Sequence, residues 1–127
     1  MNSINVVIVN PKFIAAFMGT PLICCWLVAE ALAVGVGSST DVALMFGGAL
    51  TLIVGEFLET LVCHIPKNDA LAAHKGGNDA EVWARYYASW TAWNHVRMVA
   101  SLATVVQFSL ALFHRGARLG AGYGGLP

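Results

Sequence analysis

The sequence predicts an all-α fold, a transmembrane helical bundle of three long helices with a short loop helix. Three observations lead there. Of 127 residues, 57% are hydrophobic and only 11% charged, with a mean hydropathy of +0.67. A soluble domain carries about 25% charged residues, so too few ionic side chains remain to cover a water-facing surface. Two stretches then run long enough to cross a bilayer with isolated charges, and a third turns from aromatic to apolar along its length. The expected organisation is one membrane domain over residues 1–115, with spans at about 13–36, 42–63 and 94–113, and a flexible tail at 116–127.

Residues 1–10 read as a short lead-in. Asn10-Pro11 marks the first helix start: Asn caps orphan N–H groups, and Pro lacks the N–H that this position leaves unpaired. From Phe13 to Val36 the only charge is Glu30, and at 1.5 Å per residue the run is about 36 Å long, against a hydrocarbon core of about 30 Å. Pro21 removes one backbone bond and predicts a kink near Phe17–Pro21. The run is too long, and lacks the basic leader, for a cleaved signal. Gly37-Ser38-Ser39-Thr40-Asp41 is a turn, with Asp41 as the expected cap of the next helix.

The second span is expected from about Val42 to Cys63, ending before Pro66. Gly47, Gly48 and Gly55 give it a small-residue face that lets a neighbouring helix approach. Asn68 to Gly77 reads as a short capped loop helix closed by Gly76-Gly77. Asn78 with Glu81 resembles a capping box for a third helix beginning near residue 79 and running to about Phe113. The glycine-rich segment from Gly116 is the expected tail. If all three spans cross, Lys12, Lys67, Lys75 and Arg85 share one side and Arg115 and Arg118 the other, and the positive-inside tendency puts the first group in the cytoplasm.

Composition also excludes classes. Seven basic and seven acidic residues cancel, so neither nucleic acid nor a polybasic lipid surface is indicated. Cys24 and Cys25 are adjacent in an apolar run and Cys63 stands apart, which makes no disulfide framework. Gly35-Val36-Gly37 has no preceding strand and no lysine, so it is a turn and not a phosphate loop. His64, His74, His95, Glu59 and Asp69 show no ligand spacing, and no metal is expected. No serine or cysteine carries a nucleophile signature.

Chemistry concentrates in Trp83–Arg97. On a helix Tyr86, Trp90, Trp93 and Arg97 share a face, with Trp83, Tyr87 and Asn94 beside it and His95 turned about 100° from Asn94. One reading is an interfacial aromatic belt. The other is a site, because Asn94, His95 and Arg97 stand where an apolar span begins, and ionisable groups at that depth need partners. Glu56 and Glu59, three apart near the end of span two, are the expected partners through an ion pair to Arg97, in a structural or proton-handling role together with Asn68 and Asp69.

Four segments carry a family resemblance: I-P-K-N-D-A-L-A (Ile65–Ala72), W-T-A-W-N-H-V-R (Trp90–Arg97), N-P-K-F-I-A-A-F-M-G-T-P-L (Asn10–Leu22), and F-G-G-A-L followed by V-G through Gly55. Over about residues 4–113 the chain resembles the anthrone-oxygenase family. The resemblance implies a four-helix membrane bundle in the cell membrane that oxidises polyketide anthrones to anthraquinones with O2 and no cofactor. It carries over onto Pro66, Asn68, Trp90, Trp93, Asn94, His95 and Arg97. Two departures stand out. The family's first helix has no counterpart ahead of Asn10: either the start was assigned too late, or this is a shortened relative, for which the open face predicts a homo-oligomer. Glu56, Glu59, His64 and Lys67 occupy positions that are usually apolar or amide.

With an anthrone as substrate, His95 is the expected base. Asn94 and Arg97 would stabilise the enolate oxygen, and Trp90, Trp93 and Tyr86 would line the ring pocket. The alternative is a non-catalytic membrane module in which the W-N-H-R element only locks helix three to helix two.

Overall fold

The computed structural model describes residues 10–74 and 76–123. The lead-in at 1–9, Lys75 and the last four residues of the expected tail lie outside the described residues. Among the described residues there are three long helices and no strand.

Helix α1 spans Pro11–Val34. Its start is the one expected, with Asn10 Oδ1 accepting from the Phe13 N–H at 3.0 Å and Pro11 in the first turn. The helix continues through Pro21. It stops two residues before the expected Val36: Gly35 takes φ +96°, a conformation that side chains disfavour, and its N–H closes on the Ala31 carbonyl at 3.0 Å.

Helix α2 runs unbroken over Thr40–Ala73. Ser39, not Asp41, occupies its cap position; Asp41 sits in the first turn, where a carboxylate suits the positive helix end. The larger correction concerns the other end. The chain does not stop before Pro66, and Asn68 lies inside a helix instead of starting one. After the α-helical Thr40–Leu52, two wider i→i+5 segments follow at Ile53–Leu58 and Thr60–His64, and an α-helical stretch resumes at Ile65–Ala73. Pro66 falls in the first turn of that resumed stretch, the position that tolerates a missing N–H.

Helix α3 spans Asp79–Tyr123, 45 residues, or about 68 Å. At its start the Asn78 carbonyl accepts from the Val82 N–H at 3.1 Å. The Asn78 side chain donates to Glu81 Oε2 at 2.7 Å, so these two residues meet through their side chains instead of forming the reciprocal backbone bonds of a capping box. The stretch from Gly116, expected as a flexible tail, is helical through Tyr123. Arg118 explains why composition misled: its Nη2 donates to Asp41 Oδ2 at 2.7 Å and ties this end of α3 to the start of α2.

The central helix is α2, packed along α3 and against α1. Its glycines make the close approach that the sequence predicts. A Cβ built on Gly55 would stand 2.5 Å from Ala100 Cβ, and one on Gly48 would stand 2.9 Å from Phe108 Cε1. Buried apolar residues are small: Cys24, Ala31, Val42, Ala49 and Ala111. Large apolar side chains point outward from all three helices, among them Leu22, Trp26, Val62, Leu102, Leu112 and Phe113. Small residues inside and large ones outside is the packing expected of helices solvated by hydrocarbon. All three helices are long and apolar enough to cross a membrane.

Candidate functional site

Polar side chains gather where the last turns of α2 face the first half of α3. Glu59 and His64 form the deepest pair. Their side chains are 4% and 5% exposed, and His64 Nδ1 lies 2.9 Å from Glu59 Oε1 and 3.1 Å from Oε2, with the hydrogen bond directed to Oε2. With Glu59 as a carboxylate, which only accepts, Nδ1 is the donor of this bond. In the neutral imidazole Nε2 then keeps its lone pair, and no group in the described residues bonds to it.

Local backbone geometry makes this pair. Residues five apart on an ordinary α-helix point about 140° away from each other. The i→i+5 turns at Thr60–His64 bring the two side chains onto one face, as such turns do at many functional sites. A single turn type therefore converts a spacing without meaning into a carboxylate–imidazole dyad.

Around the dyad stand aromatic and cationic groups. Trp90 meets the His64 ring edge-on, with centroids 5.7 Å apart. Tyr86 stacks on Trp90 at 6.5 Å and on Trp83 at 5.6 Å, and its hydroxyl donates to Asn68 Oδ1 at 2.6 Å. Lys67 Nζ sits 5.4 Å from the centre of the Trp93 ring. Arg97 Nη2 donates to Asn94 Oδ1, and the charges of Arg97 and Lys67 both act on His64.

The sequence-predicted residues divide accordingly. Tyr86, Trp90, Asn94, Arg97, Asn68 and Glu59 come together near one end of the α2–α3 interface, with Trp93 held beside them by Lys67. The ion pair expected between Arg97 and Glu56 or Glu59 is replaced: Glu59 pairs with His64, and Arg97 with Asn94. Glu56 faces α1 instead, lining a cavity of about 110 Å³ with Phe17, Thr20, Pro21 and Phe57. Asp69 is exposed. His95 is exposed too, on the outer side of α3 with Val96, Val99 and Leu102, and the structure does not bring it to the dyad. His64 is the residue that sequence reasoning left out of the site. The signal for it in the sequence was an imidazole at the end of an otherwise apolar run, five residues after Glu59.

Among the described residues no three His, Cys, Asp or Glu side chains converge as a metal-binding group. A groove of about 380 Å³ opens beside the cluster, lined by Lys67, Ala70, Leu71, Glu81, Val82, Arg85, Tyr86 and Ser89. That volume lies within the range of small-molecule sites.

The sequence model of one family, described as anthrone oxygenase, matches residues 12–107. No curated protein and no solved structure matches the chain.

Proposed function

Because this chain belongs to the anthrone oxygenase family, we propose that it is a cell-membrane oxygenase in which the Glu59–His64 dyad deprotonates an aromatic carbon acid of the anthrone type. The observation that carries the reading is the buried imidazole with Nδ1 held by a carboxylate and Nε2 free. Neutral imidazole is suited to proton abstraction near pH 7, and a partner on Nδ1 fixes both tautomer and ring orientation. The base is thus His64 and not His95.

The chemistry balances with O2 as the sole co-reactant. His64 Nε2 takes a proton from the ring methylene, leaving an electron-rich enolate whose oxygen is stabilised by Arg97 and Asn94. The carbanion carbon gives two electrons to O2 and forms a C–O bond. The imidazolium returns its proton to the distal peroxide oxygen. Loss of water from the hydroperoxide, taking the second methylene hydrogen, leaves a carbonyl. In sum one anthrone and one O2 give one anthraquinone and one water. Trp90 and Tyr86 supply flat apolar walls for the rings. With His64 only 4% exposed, side chains packed around it must move for a substrate to reach Nε2.

The test is oxygen uptake and quinone formation by detergent-solubilised protein given a model anthrone, against a heat-treated control. His64→Gln is expected to lower the rate about 100-fold or more, while His95→Ala stays within about threefold. Loss of activity in His95→Ala with retention in His64→Gln would refute the assignment. Equal turnover by active and heat-treated protein would favour the non-catalytic module. That second reading draws support from the Tyr86–Asn68 bond, which ties α3 to α2 without any chemistry.

A further inference from the structure

Glu59, His64 and Lys67 lie together at the α2–α3 interface. Glu59 and His64 satisfy each other. Lys67 is left over. No carboxylate among the described residues pairs with it, and its contact is the Trp93 ring face at 5.4 Å, which attracts the ammonium without neutralising it.

The charges of the adjoining groove sharpen this. Of its ionic residues, Glu81 accepts from Arg85 at 2.9 Å and from Asn78 at 2.7 Å, so Glu81 and Arg85 offset one another. Lys67 is the uncompensated charge, set beside the apolar surface of Ala70, Leu71 and Val82 and the Tyr86 ring. Lys67 also follows His64 by three residues, a spacing that puts side chains of one helix about 5–6 Å apart at Cβ. Tyr86, which stacks on Trp90, which in turn abuts His64, continues the aromatic surface from groove to dyad.

We infer that this groove selects an aromatic substrate bearing a carboxylate, whose anion is held by Lys67 while its ring system lies along Tyr86 toward His64. Lys67 is a specificity-determining residue, and the favoured substrate is an acidic anthrone-class molecule in preference to a neutral one. The inference rests on the oxygenase reading above, and it adds the substrate's charge.

The test compares one anthrone with and without a ring carboxylate, using the full chain in detergent. Wild type is expected to favour the carboxylated compound about tenfold in kcat/KM, a ratio in line with one charge-assisted hydrogen bond. Lys67→Gln should erase that preference through KM, Lys67→Arg should restore most of it, and Lys12→Gln should leave it in place. Equal kcat/KM for the two compounds in wild type, or a preference that survives in Lys67→Gln, overturns the inference and leaves the oxygenase reading standing. If neither compound is oxidised, the oxygenase reading fails instead. Quenching of tryptophan fluorescence by the same two compounds then decides the inference: Lys67-dependent preference for the acid upholds it, and equal affinity overturns it.

Discussion

Glu59 and His64 are each unfavourable alone in the interior of the bundle and tolerable together. Removing one partner of a buried ionic or strongly hydrogen-bonded pair strands the other, at a cost of about 3 kcal/mol, whereas replacing both by apolar residues is often neutral or stabilising. Glu59→Leu and His64→Leu should each lower the melting temperature of detergent-solubilised protein, and the double variant should recover most of the loss. Circular dichroism melts check this, and a double variant as unstable as the two single effects combined would show that the pair is not a unit. The same dyad marks how far the sequence could be read. Glu59 was visible as a carboxylate in an apolar run and therefore as a group in need of a partner. His64 was not visible as that partner, because five residues of α-helix would point it elsewhere. His95 attracted the base assignment by lying inside a conspicuous motif, yet its face of α3 is shared with exposed Met98, Val99 and Leu102.

At the level of elements, helix existence and helix contact were both legible, while continuity was not. The glycines of α2 predicted a close neighbour, and α3, running the opposite way, is what they meet. The consequence is steep: Gly55→Val has no room, since even its Cβ would overlap Ala100. Overpacking of this kind costs about 1–3 kcal/mol. A Cβ added at Gly19 in α1 would meet nothing within 4 Å, so Gly19→Ala should be neutral or stabilising by about 0.5–1 kcal/mol through helix propensity. A pair of melts reads both, and a Gly55→Val protein as stable as wild type would mean that α2 and α3 are not this close. Pro66 and the polar loop composition suggested a helix end. A proline inside a helix kinks or ends it by clashing with the preceding turn, and the wider turns before His64 change the geometry of that preceding turn. Nothing in a local pattern of residue types announces those turns.

Across the whole molecule most polar contacts between helices sit toward the two ends, with Thr51 Oγ1 donating to Gln107 Oε1 at 3.4 Å between them, and the outward faces there are apolar. At one end lies the dyad cluster; at the other, Arg118 ties α3 to buried Asp41. Glycines 116, 120 and 122 weaken helix propensity there, so the tie should decide whether this end stays ordered. Arg118→Ala is expected to speed amide hydrogen exchange over residues 116–123 while leaving 45–60 unchanged; unchanged exchange at 116–123 would assign the order to the helix itself. Between the ends, side chains such as Leu22, Val62, Leu112 and Phe113 are 70–71% exposed. Burying apolar surface is worth about 25 cal/mol per Å², and this chain leaves most of that surface unburied by its own atoms. Hydrocarbon must therefore cover it, since water around contiguous apolar faces of this extent drives aggregation. Alkaline carbonate, which strips peripheral proteins, should leave the chain in the membrane pellet, and a mild detergent should release it as a folded, helical species. A chain that appeared monodisperse in the carbonate supernatant would contradict the packing of all three helices at once, because no rearrangement of side chains this small in the interior could bury residues this large outside it.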